Sequence, residues 1–119
     1  MDSEELKNRT KQFALRVIRL VKALPKSIHG RTIANQLIRS GTSVAANYRA
    51  VCRDRSKAEF VSKLGIVIEE ADESAFWIEL IIDSKLIKEK LVRELLKETN
   101  EIIAIMVSSR NTIINNNKL

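Results

Sequence analysis

The stretch IANQLIRSGTSVAANYRAV, residues 33–51, keeps one helical period from end to end and decides the fold of this 119-residue chain. Its apolar stripe consists of Ile33, Leu37, Gly41, Val44, Tyr48 and Val51. Beside it runs a stripe of short, uncharged side chains, Gln36, Ser40, Ser43, Asn47 and Ala50. A helix usually carries charge there, and Lys or Glu would be crowded and desolvated where another backbone comes close. The small stripe therefore predicts a surface on which subunits associate.

Three more amphipathic segments accompany this helix. The apolar period predicts helices over roughly 4–24, 31–53, 57–83 and 88–112, with a polar tail at 113–119. Asp2 with Glu5 and Ser56 with Glu59 have the spacing of capping boxes, and Pro25 ends the first helix. Short connectors leave each helix beside its predecessor. We therefore expect one domain over 1–119, an all-α, antiparallel, up-and-down four-helix bundle.

The third predicted helix is apolar on two sides. Ile66, Phe76, Trp77 and Leu80 lie away from the stripe that continues through Ile78. A helix of a small bundle hides one such face in its own core, so the second requires cover from elsewhere. Together with the small stripe of the second helix, this pattern predicts a closed homo-oligomer.

Composition narrows the class of protein. Hydrophobic residues make up 45% of the chain and aromatic residues only 4%, with 3 Gly and 1 Pro, as in a bundle of aliphatic helices. The single cysteine, Cys52, can form no internal disulfide, and its position predicts a small core residue. The N-terminus lacks the basic and apolar regions of a secretory signal, and the longest apolar run, 102–107, is too short to span a bilayer. We expect a cytoplasmic protein.

Positive charge is concentrated in the first half of the chain. Residues 1–68 carry 14 Lys and Arg against 5 Asp and Glu, or +9, whereas residues 69–119 carry 7 against 10, or −3. Phosphate backbones are bound by such clusters without base readout. The candidate phosphate ligands are Arg9, Arg16, Arg19, Lys22, Arg49, Arg53 and Arg55. The alternatives are a solvated face that keeps the protein soluble and a protein-interaction module whose basic face meets an acidic protein.

Motifs for chemistry are lacking. The sequence has no phosphate-binding glycine loop, nucleophile elbow or paired-histidine motif, and one His with one Cys predicts neither a metal site nor a cofactor. Glu70 and Glu73 lie on the second apolar side of the third helix, where an unpaired carboxylate is costly. We therefore expect Glu73 to pair with Arg39 or Asn47 rather than to act in catalysis. A DNA-binding helix-turn-helix is disfavoured because the apolar period continues unbroken through Gly41.

The segment QLIRSGTSVAANYRA, residues 36–50, with KAEF at 57–60 and the carboxylates of the third helix, resembles a known family. These are the four-helix bundle proteins encoded in intervening sequences of bacterial 23S rRNA genes, and the resemblance runs from about Phe13 to Met106. The matching residues are Gln36, Leu37, Arg39, Ser40, Ser43, Asn47, Phe60 and Glu73. The chain departs from the family where Tyr48-Arg49-Ala50-Val51 follows Asn47 and where Glu70 replaces a common Ser.

This resemblance implies a ring-shaped homopentamer with a basic surface and no catalytic activity. The family is similar in fold to the accessory variability determinant proteins of diversity-generating retroelements, which bind nucleic acid and a reverse transcriptase. A pentamer of this chain would carry 5 × 6 = +30. We therefore expect an oligomeric accessory protein that binds RNA or DNA. The expected subunit contacts are Gln36, Arg39, Ser40, Ser43, Asn47, Glu73, Phe76 and Trp77.

Overall fold

A computed structural model describes residues 1–53 and 56–117 of the chain and confirms an all-α fold. Its four helices are α1 (Ser3–Ala23), α2 (Ile28–Val51), α3 (Lys57–Asp83) and α4 (Glu89–Asn117), and the described residues contain no strand. Each helix packs against its neighbours in sequence, and α1 also contacts α4, less extensively than any other neighbouring pair. The result is a rod of 51 × 21 × 20 Å.

Side-chain oxygens cap the first three helices. Asp2 Oδ1 accepts a hydrogen bond from the backbone N–H of Glu5 at 2.8 Å, and Ser56 Oγ accepts one from Glu59 at 3.1 Å. These are the N-terminal parts of the predicted capping boxes. Ser27 also caps a helix, because its Oγ accepts from the N–H of Gly30 at 3.1 Å. For this reason α2 begins at 28, three residues before the predicted start, and it ends at 51 rather than 53.

The fourth helix is longer than predicted. Residues 113–117, assigned from sequence to a polar tail, continue α4 as far as Asn117. Ile113 and Ile114 are half-buried, and the Thr112 hydroxyl donates to the carbonyl of Ser108 at 3.0 Å. The apolar pair therefore prolongs the helix beyond the point where polar composition suggested fraying.

The core runs the length of the rod and is aliphatic apart from a few rings. Every helix contributes fully buried side chains, the largest being Phe13, Leu37, Leu64, Ile78, Ile81, Ile102 and Met106. Gly41 lies where α2 packs closely against α1, since a Cβ added there would lie 2.9 Å from both γ carbons of Val17. Thus Gly41, a member of the apolar stripe, serves packing inside the chain.

Each helix also buries one Ser or Thr hydroxyl. Thr10, Ser40, Ser74 and Thr99 are all fully buried. Each donates to a carbonyl three or four residues earlier in its own helix, at 2.7–3.4 Å. Ser40 Oγ and Ser74 Oγ also lie 2.9 Å apart, across the α2–α3 contact. Buried hydroxyls with such partners avoid the penalty of an unsatisfied polar group.

Ser40 corrects the interpretation of the small stripe. The sequence placed it among the subunit contacts, but it is 0% exposed within a single chain and faces Ser74. A second copy cannot reach it. Cys52, expected in the core, is instead exposed just beyond the end of α2.

Candidate functional site

One half of the chain supplies many cationic side chains and almost no carboxylates of its own. Residues 6–53, which include α2 and all but the first turn of α1, hold eleven Lys and Arg and no Asp or Glu. Any carboxylate that neutralises these cations must therefore come from the first turn of α1 or from the other half of the chain. Ion pairs decide which cations remain available to a polyanion.

Arg9 is one of the cations that already form an ion pair within the chain. Its Nε and Nη2 donate to the two carboxylate oxygens of Glu98 on α4, at 2.8 and 2.6 Å, and Glu101 lies 3.7 Å away. The hydrogen bond that Arg9 donates to Glu98 outweighs partial burial and raises the pKa of the Arg9 guanidinium. Such a bidentate pair is among the stronger polar contacts of proteins. Arg9, predicted to contact phosphate, is therefore better described as a bridge between α1 and α4.

A shallow groove of about 470 Å³ lies between the start of α1 and the second half of α2. Lys11 and Arg49 line it and both are exposed, and the lining also includes the small side chains of Ala45 and Ala46. Lys7 also borders the groove but pairs with Glu4 at 3.0 Å. Lys11 and Arg49 make no ion pair with any described residue, so the groove presents two free cations.

More unpaired cations continue this surface to the other end of the two helices. Lys22 follows Lys11 by about three turns of α1, and Arg49 follows Arg31 by about five turns of α2, so each pair shares one side of its helix. Arg53 lies one turn beyond Arg49. We call the set the cationic face: Lys11, Lys22, Lys26, Arg31, Arg49 and Arg53, all exposed and without a carboxylate partner in residues 1–53 and 56–117.

The structure divides the phosphate ligands predicted from sequence. Lys22, Arg49 and Arg53 belong to the cationic face, whereas Arg16 and Arg19 line a separate groove between α1 and α4. Arg55 lies outside the described residues. Sequence reasoning missed Lys11 and Arg31 as candidate ligands, although the long interval without acids, 6–53, could have pointed to them.

A second candidate surface lies on the outer side of α2 and α3. The Arg39 guanidinium hydrogen-bonds a Glu73 carboxylate oxygen, donates to Glu70 Oε2 at 3.3 Å, and also donates to the Gln36 side-chain oxygen at 3.1 Å. The indole N–H of Trp77 donates to the same Glu73 carboxylate at 2.9 Å. The expected partner of Glu73 is thus Arg39, and the contact forms between two helices of one chain.

Large apolar side chains border this ion-pair network. Phe76 is 50% exposed and Ile66 is 42% exposed, and the Phe76 ring meets Trp77 edge to face with centroids 5.0 Å apart. Asn47 is half-buried and donates to the Ser43 carbonyl within α2. The α2–α3 face is defined as Gln36, Arg39, Ser43, Asn47, Ile66, Glu73, Phe76 and Trp77. It contains the predicted subunit contacts except Ser40.

Chemistry-bearing side chains are sparse elsewhere. Within residues 1–53 and 56–117, no three His, Cys, Asp or Glu side chains come together as metal ligands would. Tyr48 is nearly fully buried, and this burial raises the pKa of its phenol far above the usual range. No helix among the described residues combines the length and apolarity needed to span a membrane.

Comparison with known proteins identifies a family and similar solved structures. A family model described as 23S rRNA-intervening sequence protein matches residues 3–108. A crystal structure from Bacteroides thetaiotaomicron VPI-5482, of a protein with unknown function from the S23 ribosomal protein family, superposes with a TM-score of 0.85 at 31% sequence identity. The match covers 93% of this chain and 99% of that one. No curated protein matches the chain.

Proposed function

Because the chain belongs to the 23S rRNA-intervening sequence protein family, we propose that it is a non-catalytic, homo-oligomeric bundle that binds the phosphate backbone of nucleic acid through its cationic face. One observation carries the proposal: within residues 1–53 and 56–117, six exposed cations without carboxylate partners lie on the α1–α2 side of the molecule. Unpaired cations can exchange water and counterions for phosphate without first breaking an internal ion pair.

The cationic face supports binding that does not depend on base sequence. It contains no aromatic side chain, and the two aromatic residues of α1 and α2, Phe13 and Tyr48, are buried. Stacking on aromatic rings is the usual means of holding single-stranded bases. We therefore expect contacts to phosphates, with similar affinity for unrelated sequences and a steep dependence on salt.

Self-association is supported by the α2–α3 face. Phe76 and Ile66 expose large apolar surfaces beside a network in which Arg39 is paired with both Glu70 and Glu73 of the same chain. An apolar patch with internally satisfied charges suits a buried subunit contact. We propose a closed ring, a pentamer by family resemblance, of antiparallel bundles in the cytoplasm.

The test of nucleic-acid binding is a salt titration. Labelled RNA and DNA duplexes of unrelated sequence would be titrated with protein at several salt concentrations, and log Kd plotted against log salt. Each phosphate contact contributes about 0.9 to the slope, so the variant Arg49→Gln/Arg53→Gln should lower it by about 1.8. The matched control is Lys90→Gln/Lys97→Gln, which removes the same charge from exposed positions of α4.

The expected result is a loss of slope in the α2 variant and an unchanged slope in the α4 variant. Equal effects of the two variants would show that only net charge matters, and the cationic face would be wrong as a site. Absence of duplex binding by the wild type at low salt would refute nucleic-acid binding and favour the protein-interaction module.

The test of assembly is light scattering of the wild type and of two serine variants. The subunit mass is 13.5 kDa, so a pentamer should scatter as 5 × 13.5 = 67.5 kDa. Phe76→Ser should lower the mass, whereas Leu91→Ser, which alters a residue that is 81% exposed on another surface, should not. A folded wild-type monomer would refute self-association without bearing on the phosphate contacts.

A further inference from the structure

The seam between α1 and α4 opens into a groove of about 360 Å³ at the end of α1 and the start of α4. Its apolar lining includes Leu20, Ile87 and Leu91, together with the core residues Val92 and Leu95. We call this the α1–α4 groove. It forms where the bundle is least tightly closed, because α1 and α4 make the least extensive helix contact.

From this geometry we infer that the α1–α4 groove is a docking site for an acidic, amphipathic helix of a partner protein. This inference uses residues outside the cationic face and so stands independently of nucleic-acid binding. Three properties of the groove define the partner: an apolar floor, a cationic rim and walls made of two helices.

The apolar part of the groove is continuous with the core. Leu91 is 81% exposed on α4, and beside it Leu20 and Ile87 are half-buried. A single exposed leucine is ordinary on a protein surface. Here it borders other aliphatic side chains in a concave surface, where an apolar side chain of a partner would be removed from water on several sides.

The rim of the groove is positively charged. Arg16 and Arg19 of α1 and Lys88, just before α4, line it without an ion pair to any residue in the described ranges. Glu94 is the only acidic residue of the lining, and it too forms no ion pair with any described residue. The three cations outnumber it, so carboxylates beside the apolar contacts of the partner would be favoured.

The walls of the groove favour a helix as the occupant. Two helices present ridges and grooves of side chains and no unpaired strand edge, so an extended peptide would find no backbone partners. A helix can instead place apolar anchors at i, i+3 or i+4, and i+7 along the seam. Nucleic acid is disfavoured because most of the lining is aliphatic and offers phosphate groups neither positive charge nor hydrogen bonds.

The experiment uses a fluorescent synthetic peptide of about five helical turns. It carries Leu at helical spacing on one face with Glu on both flanks, and a control peptide has Gln in place of every Glu. Fluorescence anisotropy would follow binding to the full chain. We expect the Gln peptide to bind about tenfold more weakly, with a smaller dependence on salt.

Three variants locate the binding site on the protein. Arg16→Gln/Arg19→Gln and Leu91→Ala should each weaken binding of the Glu peptide about tenfold. Lys11→Gln, on the cationic face of the same helix, should leave it unchanged. All four altered residues are at least partly exposed, and circular dichroism would verify that each variant is folded.

Each other outcome would overturn the inference. If neither Leu91→Ala nor Arg16→Gln/Arg19→Gln changed the affinity for the Glu peptide, the binding site would lie elsewhere. Loss of duplex affinity in Arg16→Gln/Arg19→Gln equal to that in Arg49→Gln/Arg53→Gln would make the groove part of a nucleic-acid surface. A lower mass of Leu91→Ala in light scattering would make a second copy the occupant.

Discussion

Gly41 is the position at which one added methyl group should most clearly disturb the packing of α1 against α2. A Cβ there would lie 2.9 Å from Cγ1 and from Cγ2 of Val17. Val17 is fully buried, so its branched side chain has little room to move away. Gly65 in α3 is the matched control, because nothing lies within 4 Å of a Cβ added there.

The expected free energies follow from two opposing effects. Replacing glycine by alanine inside a helix stabilises it by about 1 kcal/mol through backbone entropy. Overpacking a filled core costs about 1–3 kcal/mol. Gly65→Ala should show only the stabilisation by alanine, whereas Gly41→Ala should show both the stabilisation and the cost of overpacking. The free energies of unfolding of the two variants should therefore differ by about 1–3 kcal/mol, with Gly65→Ala the more stable.

Urea unfolding followed by circular dichroism would measure this difference at one fixed protein concentration, since association adds to apparent stability. In a double-mutant cycle, Val17→Ala should lower the free energy of unfolding less in the Gly41→Ala background than in the wild type. The reason is that the methyl group added at position 41 can occupy the space left by the γ carbons of Val17. Equal stability of Gly41→Ala and Gly65→Ala would refute the close approach of α1 and α2. Intact stability with a lower mass in light scattering would place Gly41 at a subunit contact.

Three further predictions concern the polar contacts. Arg9→Met should lower the free energy of unfolding in urea by about 1–2 kcal/mol, because Glu98 loses its partner on a bridge whose Arg9 side chain is 25% exposed, and it should leave duplex affinity unchanged. Burial raises the pKa of the Tyr48 phenol, so the folded chain favours the neutral phenol more than the unfolded chain does. The contribution of Tyr48 to the free energy of unfolding is therefore complete below the ordinary tyrosine pKa of about 10, and it is lost as the pH rises above that value. Ultraviolet absorbance of this single tyrosine should show no phenolate until the chain unfolds, and Tyr48→Phe should remove this contribution to alkaline destabilisation. Glu73→Leu removes the acceptor of the Trp77 indole and should shift the emission of this single tryptophan, whereas Glu73→Gln, which keeps an acceptor oxygen, should not.

The apolar period and the capping residues predicted the four helices from the sequence with few errors. The predicted bounds of the third helix, 57–83, coincide with α3, and the caps at Asp2 and Ser56 begin helices as expected. The early start of α2 was missed because Ser27 as a cap leaves no mark on the apolar period. The family resemblance carried by residues 36–50 is confirmed.

Long-range contacts explain what sequence reasoning could not place. A helical wheel shows which side of α2 holds Ser40 but not that Ser74 of the same chain covers it. Likewise Arg9 looks like any other solvent-facing cation until the fold brings Glu98, 89 residues later, against it. In the sequence, charge groups Arg16 and Arg19 with Lys22, and only the position of α4 in the fold separates them.

The four buried hydroxyls have a consequence for how related sequences can drift. Among the described residues, Thr10 and Thr99 donate only to carbonyls of their own helices, so an aliphatic residue of similar size at either position would leave no hydrogen-bonding group of a neighbouring helix unsatisfied. The hydroxyls of Ser40 and Ser74 touch each other, so enlarging one side chain or removing its hydroxyl alters the surroundings of the other. Among homologues, positions 40 and 74 should therefore covary, small with small, while 10 and 99 change independently.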